Sequence, residues 1–482
     1  MKTICIIGAG LSGGFLAHYL VESGKFKVLL VDVDSINDSY PSSNSSFNLT
    51  PFSEFSNFNT YALGYGGTSN LWHGVMTDFD EIDLIRSKQL SGNIDFLLHD
   101  FGSVGNKLFP GLDVSLGKKS LSPLNTDFIP LDSDNYFIKS YYVPRKPLRM
   151  RQMIKNLSRL YPSRLVLLSN SVAVNFNISV NIDNGYTVDS LNVSTNNSPA
   201  QIKADFFVAC LGALETPRLI YQSFQTIGIA NKWIGNSLLE HPYARIADIY
   251  FGKFTRLSLK SPSFFQDHIT RYNLIFRGLT DSRNPSISFI PSIDVSLSTF
   301  MKSFSKISSL TPLKQLNKLS PVGASTQLIN KLNISYTDKV GLYIHHEVLS
   351  SDGGSITFTE NIDVHGRLIP SFNYPSLVSL DKINPMLIEK LCCSTNLRGT
   401  NSSISILPSN EVSYMPGSHY AGTCKISINK SHGVCSSNLN VHDFSNLYIC
   451  DASVFPVVGN SNLSLPLLRL ASYLSSKLCN NF

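Results

Sequence analysis

Residues 1–20 of the chain read MKTICIIGAGLSGGFLAHYL, and this stretch decides the fold. The apolar run at residues 4–7 is short and unbroken, which is typical of a buried parallel strand. Glycines at positions 8, 10 and 13 follow, and residues 15–21 continue at helical spacing. A second apolar run at residues 27–31 ends at Asp32. This order predicts a strand–helix–strand unit that binds a dinucleotide.

Each part of this unit has a physical reason. Gly8 allows a tight turn, Gly10 lets the backbone approach a pyrophosphate, and Gly13 lets helix and strand pack closely. The helix N-terminus offers N–H groups and a partial positive charge to phosphates. Asp32 lies near the offset of about 20 residues expected for an acid that binds a ribose diol. The predicted cofactor contacts of this unit are Gly8, Gly10, Leu11, Ser12, Gly13 and Asp32.

Length and composition exclude several classes of protein. With 482 residues, the chain is long enough for two or three domains. Hydrophobic residues make up 43% and charged residues 15%, and the net charge of +6 is scattered, so no nucleic-acid partner is expected. No apolar run approaches the roughly 20 residues that a membrane span requires. A signal peptide is an alternative interpretation of the first residues, but the glycines interrupt its apolar region.

The eight cysteines form no C-x-x-C pair and no metal-ligand spacing with histidine, so no metal site is expected. Cys5 and Cys450 lie inside apolar runs and are predicted to be buried thiols. A cytoplasmic location is the expectation.

The middle of the chain has a different pattern. Alternating strands are predicted at residues 287–295, 340–348 and 355–359, which favours an antiparallel sheet. Between Asp294 and Asp338 no acidic residue occurs, while lysines from Lys302 to Lys331 punctuate apolar residues. This stretch is either a solvated helix face or a surface that contacts an anionic membrane, which would make the protein membrane-peripheral.

Other stretches add to the dinucleotide unit. The run Gly66-Gly67-Thr68-Ser69-Asn70 is either an ordinary turn or a backbone that presses against a flat or anionic group. A buried strand is predicted before Gly212, and another ends at Asp451. Residues 463–478 are predicted to form a helix.

Taken in order, these stretches resemble the glucose–methanol–choline (GMC) family of FAD-dependent oxidoreductases. The matching pieces are residues 8–13, 66–69, 212–218, 235–242, 419–425, 447–456 and 460–464. The resemblance implies an α/β (overall α+β) fold, with a Rossmann-like FAD-binding domain interleaved with an antiparallel-sheet substrate domain. Residues 1–80, 141–249 and 411–482 would form the first domain, and residues 81–140 and 250–410 the second.

The family also implies roles for residues. Gly66 to Ser69 would pass close to the isoalloxazine ring, and the strand at Val172 would offer backbone to the adenine. His419 stands in a His-x-x-Gly-Thr motif at the family's catalytic histidine, and Asn460 matches its second active-site position. The contacts predicted in this way are Gly66, Gly67, Thr68, Ser69, Asn70, Val172, Gly212, Asp451, Ala452 and Asn460.

Three departures from the family pattern matter. The family's Asn-Pro-Thr is Asn460-Ser461-Asn462 here, and Lys425-Ile426 replaces the usual Arg-Met. Leu71 stands where some sugar oxidases of the family attach the flavin to a histidine, so non-covalent FAD is expected. His73 leaves a covalent link open.

The chemistry supports the same residues. Removing a hydride from a carbon that bears a hydroxyl requires a base for the hydroxyl proton, and a histidine suits this near neutral pH. Asn460 could donate a hydrogen bond to the developing alkoxide. His241 is expected to be structural, and His345 and His346 are candidates for the rim of the substrate cavity.

The leading hypothesis is therefore FAD-dependent oxidation of a small-molecule alcohol, in the form of a sugar, polyol or glycoconjugate. The electron acceptor would be oxygen, a quinone or a redox protein. The alternatives are a lyase or fatty-acid photodecarboxylase-like member, a membrane-associated flavoprotein acting on a lipid or sterol alcohol, and an NAD-dependent dehydrogenase.

Overall fold

A computed structural model describes residues 1–35, 61–112, 136–144, 146–180, 185–256, 268–276, 287–292, 336–374, 402–408, 411–412, 414–459 and 461–481. The described α-helices are α1 (Leu11–Ser23), α2 (Glu81–Ser91), α3 (Asp95–Leu98), α4 (Gly102–Leu108), α5 (Met150–Leu160), α6 (Gly212–Gln225) and α7 (Ser464–Asn480). The first nine described strands are β1 (Lys2–Ile7), β2 (Phe26–Val31), β3 (Tyr136–Pro144), β4 (Leu165–Leu168), β5 (Ser171–Val180), β6 (Tyr186–Thr195), β7 (Ser198–Ile202), β8 (Phe206–Ala209) and β9 (Asn236–Leu238). The other nine are β10 (Tyr243–Arg256), β11 (His268–Phe276), β12 (Ile287–Ser292), β13 (Tyr336–His346), β14 (Gly354–Ile362), β15 (Leu368–Asn373), β16 (Ser402–Ile406), β17 (Tyr414–Met415) and β18 (Leu447–Ile449).

The predicted strand–helix–strand unit is the centre of a parallel sheet. Five strands lie in the order β18-β8-β1-β2-β4, and β1 pairs in parallel with both β2 and β8. Ile4, Cys5 and Ile6, which point alternately to the two faces of the sheet, have no exposed surface, because the sheet is covered on both faces. The helix α1 packs against α7, the last described helix.

Antiparallel sheets form the rest of the fold. One sheet has seven strands, in the order β16-β10-β13-β12-β11-β3, with β17 paired to β10. Two three-stranded sheets, β15-β14-β9 and β5-β6-β7, complete the described topology. The three strands predicted from alternation correspond to β12, β13 and β14. The predicted fold class, a parallel sheet combined with antiparallel sheets, is confirmed.

Some predicted features lie outside the described residues or stay predictions. The basic stretch from Lys302 to Lys331 and residue Asn460 lie outside the described residues. The division into two domains stays a prediction, and β3 crosses its boundary at residue 140. In the described parts of the chain, none of the helices has the length and apolar character needed to cross a membrane.

The parallel strands bring distant parts of the sequence to one edge. Gly8 follows β1, Asp32 follows β2, Cys210 follows β8 and Cys450 follows β18. Since these strands are parallel, their carboxyl ends meet, and the segments after them face one crevice. The candidate site lies there.

Candidate cofactor and active site

A cavity of about 430 Å³ runs along the carboxyl edge of the parallel sheet. Of the residues predicted from the sequence, those that line it are Gly8, Gly10, Leu11, Ser12, Asp32, Gly67, Thr68, Ser69, Gly212, His419, Asp451 and Ala452. Gly13, Gly66, Asn70 and Val172 lie beside it, in supporting positions. The cavity joins the dinucleotide turn to His419, which stands more than 400 residues later by its number.

The three glycines of the turn have distinct surroundings. Gly8 has a φ of +100°, and a Cβ there would lie 2.6 Å from the Cys210 carbonyl oxygen. A Cβ on Gly13 would lie 1.9 Å from the Gly8 carbonyl oxygen, so helix and strand touch at this point. A Cβ on Gly10 would meet no described atom within 4 Å. Gly10 therefore leaves an opening in the cavity wall, as a bound pyrophosphate requires.

Asp32 is buried at the end of β2, where its carboxylate stabilises the glycine turn. Its Oδ2 accepts from the N–H of Ala9 at 2.6 Å, and its Oδ1 accepts from the N–H of Val33 at 2.7 Å. Burial is the main cause that raises the Asp32 pKa to about 7. Each oxygen retains a further lone pair, so the carboxylate can also accept from hydroxyl groups in the cavity.

The loop at residues 66–70 packs on the dinucleotide turn. The N–H of Gly66 donates to the Ala9 carbonyl at 2.8 Å, and the side chain of Asn70 donates to the Tyr65 carbonyl at 3.1 Å. A Cβ on Gly67 would lie 3.2 Å from the Cα of Gly10. Gly66 and Asn70 therefore fix a loop whose other residues face the cavity.

Val172 and Asp451 support the walls. Val172 is 5% exposed, and its neighbours Ser171 and Ala173 line the cavity. Asp451 accepts from the N–H of Gly212 at 3.0 Å and from the hydroxyl of Thr216 at 2.5 Å. Asp451 thereby fixes the N-terminus of α6 at the cavity, and burial raises its pKa.

His419 lies between two polar side chains. Its Nδ1 is 2.6 Å from Nε2 of His241, and its Nε2 is 3.2 Å from Nδ2 of Asn462. An amide nitrogen only donates, so Nε2 of His419 is an acceptor and the proton of the neutral ring is assigned to Nδ1. The neutral ring therefore presents a lone pair on the side where Asn462 and the cavity lie.

Burial sets the protonation state of this histidine pair. It lowers the pKa of His419 to about 4. The pKa of His241 is lowered well below its ordinary value by burial first, and then by its neighbours His419 and His345. Both rings are therefore neutral near pH 7, as a proton acceptor must be.

Glu240 holds the segments that carry both rings. It is fully buried, and its Oε1 accepts from the N–H groups of His419 at 3.0 Å and His241 at 3.1 Å. Its Oε2 accepts from the N–H of Gly417 at 2.6 Å and the hydroxyl of Tyr374 at 3.2 Å. Glu240, His241 and His419 are close enough together to hold a metal ion. Because these ligand atoms already pair within the protein, the arrangement suits a hydrogen-bond network better.

Some site residues were missed in the sequence, and others remain open. Asn462 contacts His419, whereas the sequence motif indicates Asn460, whose role stays a prediction. Both residues belong to one Asn-Ser-Asn tripeptide. The motif therefore indicates an asparagine in the site, but the sequence does not show which of the two side chains points to His419. The ring of His345 lies 5.7 Å from that of His241 and 5.3 Å from that of Tyr243, which lines the cavity.

A charged group at the cavity was also missed. Arg218 pairs with Glu215 on α6, and Nη1 of Arg367 lies 3.4 Å from Oε2 of Glu215. All three side chains line the cavity. Arg367 reaches it from the turn between β14 and β15, and nothing in the local sequence indicates that contact.

Comparison with known proteins agrees with the motif order. Residues 399–471, which include His419 and Asn462, match the family model described as GMC oxidoreductase. No protein among the curated sequences matches the chain. The resemblance stated from the sequence is confirmed by the family match together with the fold.

Solved structures share the fold along the whole chain. The pyridoxine 4-oxidase from Mesorbium loti has a TM-score of 0.61 and 16% identity, with 99% of each chain covered. The R554A variant of Aspergillus oryzae formate oxidase has a TM-score of 0.58 and 16% identity, covering 100% of this chain and 98% of that one. A fungal aryl-alcohol oxidase has a TM-score of 0.58 and 14% identity, covering 100% and 99%.

Proposed function

We propose that this chain, which belongs to the GMC oxidoreductase family, binds FAD and oxidises the CH–OH group of a small alcohol to a carbonyl. One observation carries the proposal. The neutral His419 presents Nε2 to the same cavity that the open glycine turn borders. A dinucleotide on the turn and a base at the other end are the two components that the reaction requires.

The residues of the cavity fit the cofactor. Gly10 leaves room for a pyrophosphate at the N-terminus of α1, and the carboxylate of Asp32 can accept from ribose hydroxyls. We propose that all sixteen predicted contacts hold FAD, either by lining the cavity or by supporting its wall. They are Gly8, Gly10, Leu11, Ser12, Gly13, Asp32, Gly66, Gly67, Thr68, Ser69, Asn70, Val172, Gly212, Asp451, Ala452 and Asn460. When bound, FAD supplies the acceptor for the hydride. Leu71 at the attachment position of some relatives favours a non-covalent complex.

In the proposed reaction, the substrate hydroxyl takes the place of the Asn462 amide at Nε2 of His419, because that nitrogen has a single lone pair. His419 then removes the hydroxyl proton at Nε2. The bond from its Nδ1 to His241 holds the ring in the tautomer that leaves Nε2 unprotonated. Asn462, and Asn460 by the family match, would donate to the substrate oxygen as it gains negative charge. Burial lowers the pKa of His419 to about 4, so the base stays unprotonated near neutral pH.

The substrate is proposed to be a sugar, a polyol or a glycoconjugate, and the acceptor of the electrons oxygen, a quinone or a redox protein. Support for a ring-shaped substrate comes from Tyr243, whose aromatic ring lines the cavity beside His345. An aromatic face can cover the apolar face of a sugar ring while the phenol hydroxyl binds polar groups.

Anaerobic mixing of the purified yellow protein with a panel of alcohols tests the proposal. We expect sugars or polyols to bleach the flavin absorbance in the dark, and His419→Ala to slow this reduction at least about a hundredfold. A protein without flavin bands would favour the NAD alternative. Light-dependent release of CO2 from a fatty acid, without reduction in the dark, would favour the photodecarboxylase alternative.

A further inference from the structure

A cluster of buried charged side chains lies behind the segment of residues 459–462. It combines the start of α2, the strand β3 and the residue after β13, and its members do not belong to the described lining of the cavity. Lys139 and Asp83 have no exposed surface, and the other members are at most 5% exposed. The members are Asp80, Asp83, Arg86, Lys139 and Glu347.

This cluster holds both chain neighbours of residue 460. Nζ of Lys139 donates to Oγ of Ser461 at 2.7 Å, and that hydroxyl donates to the Asp78 carbonyl at 2.8 Å. The N–H of Gly459 donates to Oε1 of Glu347 at 3.1 Å. Oε2 of Glu347 is in turn held by Nη1 of Arg86 at 2.5 Å. Gly459 and Ser461 are therefore held from behind by two buried side chains, Glu347 after β13 and Lys139 in β3.

Gly459 allows the segment to come this close. Its φ is +55°, and a Cβ there would lie 2.2 Å from Oδ1 of Asp83. Glycine adopts this left-handed conformation without strain, and the missing side chain leaves room for the carboxylate. The backbone before residue 460 thus lies directly against the cluster.

Lys139 supplies the charge that the cluster needs. Its Nζ lies 3.8 Å from Asp83 Oδ2 and 4.0 Å from Asp80 Oδ2. Burial alone lowers the pKa of Lys139, but the two carboxylates outweigh it and the pKa is raised. The ammonium group therefore stays charged beside two acidic side chains, and it donates a hydrogen bond to the hydroxyl of Ser461.

We infer that Lys139 is a positioning residue for the alcohol oxidation: by holding Ser461, it sets the place of Asn462 against Nε2 of His419. The inference rests on the proposed function, and it adds a residue that touches neither the cavity nor His419. Ser461 and Asn462 are adjacent, so a displaced Ser461 moves the amide that contacts the base. Displacements of about 1 Å at such sites slow reactions by about a hundredfold.

Three variants test the inference. Lys139→Met removes the ammonium, Ser461→Ala removes its partner and keeps the charged cluster, and the double variant measures their coupling. Lys425→Met is the matched control. Lys425 is another largely buried lysine, and its Nζ lies 3.9 Å from the centre of the Trp233 ring, away from the cluster.

Two measurements are compared among these proteins. The first is hydrogen–deuterium exchange of a peptide spanning residues 457–463 in the protein without flavin, which does not depend on activity. The second is the limiting rate of flavin reduction per bound flavin, with KM measured alongside. For Lys139→Met we expect faster exchange of the peptide, a limiting rate at least about tenfold lower and KM within about twofold. The double variant should be no slower than Lys139→Met, because both changes remove one contact.

The inference is overturned if Lys139→Met loses stability like Lys425→Met while its exchange and its rate per bound flavin stay parental. If Lys139→Met does not fold, Ser461→Ala decides: slower reduction supports the inference, and a parental rate overturns it. If no alcohol reduces the parental flavin, the proposed function fails, while the exchange measurement still decides whether Lys139 holds the segment.

Discussion

Nδ1 of His419 lies 2.6 Å from Nε2 of His241, and the backbone N–H groups of both residues donate to the same oxygen of Glu240. The carboxylate fixes the two backbones, and the ring–ring bond fixes the orientation of the imidazole. An imidazole held at its backbone and at one ring nitrogen keeps the other nitrogen in a constant position. Such preorganisation lowers the cost of reaching the reactive geometry.

The first prediction concerns the pH dependence of flavin reduction. The base must be neutral, and the pKa of His419 is lowered to about 4 by burial. The limiting rate should therefore stay level from about pH 8 down to about pH 5, and fall as the pH drops through about 4. Stopped-flow measurement of flavin reduction checks this. An acid limb at pH 6.5 or above would contradict a buried neutral His419.

The second prediction concerns His241. Replacing it with Phe removes the acceptor for the Nδ1 proton, so the His419 ring loses its fixed tautomer and orientation. We expect His241→Phe to keep its flavin spectrum and to lower the limiting reduction rate by about ten- to a hundredfold. His432→Gln, at an exposed histidine, is the control and should behave as the parent. Equal limiting reduction rates in His241→Phe and His432→Gln would show that the bond between His241 and His419 does not contribute to the reaction.

The third prediction separates two glycines of the turn. A Cβ at Gly10 enters open space, whereas a Cβ at Gly13 meets the Gly8 carbonyl oxygen at 1.9 Å. Gly10→Ala should keep the thermal stability of the flavin-free protein and weaken FAD binding by at least about tenfold. Gly13→Ala should lower the stability itself, by about 1–3 kcal/mol. Thermal unfolding and flavin titration measure the two effects, and an inverse result would refute the assignment.

The fourth prediction concerns Asp32 in the flavin-free protein. Its folded pKa is raised to about 7 from an ordinary value of 3.8, mainly by burial. The folded state therefore binds the Asp32 proton more tightly than the unfolded state does. The protonated carboxyl contributes its full stabilisation below about pH 4, and this stabilisation is lost as the pH rises to 7. The loss is at most about 4 kcal/mol.

Denaturant unfolding of parental protein and Asp32→Asn at pH 5 and pH 8 measures this effect. The parental free energy of unfolding should fall more between these values than that of the variant, because the amide does not titrate. If the free energy of unfolding changes equally in the two proteins, ionisation of Asp32 does not destabilise the folded state.

The fifth prediction concerns the attachment of the flavin. Leu71 is 40% exposed at the cavity, and no bond can form at an aliphatic side chain. Acid precipitation should leave all the flavin in the supernatant. Yellow colour retained in the pellet would indicate a covalent bond to His73, which also lines the cavity. In that case His73→Ala should release the flavin into the supernatant.

The sequence predicted the parts of the fold that local spacing determines. The glycine turn, α1 and β2 follow from residues that are neighbours in the chain. His419 was found because its motif is local as well. Asn462 was passed over because the direction of a loop side chain depends on what lies behind the loop, here Ser461 and Lys139.

Lys139 and Arg367 could not have been found from local patterns. Lys139 lies in the middle of β3, and a lysine in a strand ordinarily indicates a solvated face. Its burial depends on carboxylates from α2, and Arg367 depends on Glu215 of α6. Contacts of this kind appear only when the tertiary structure brings the elements together.

The strand order of the parallel sheet has a consequence for folding during translation. The strand β8 pairs with β1 on one side and with β18 on the other, so β8 can join β1 while more than half of the chain, including β18, is still to be synthesised. On the ribosome, β8 must stay unpaired along one edge until β18 has been translated, which is a period when unpaired edges invite aggregation. The flavin pocket can close only after that last strand arrives, and chaperone demand should therefore be highest just before it.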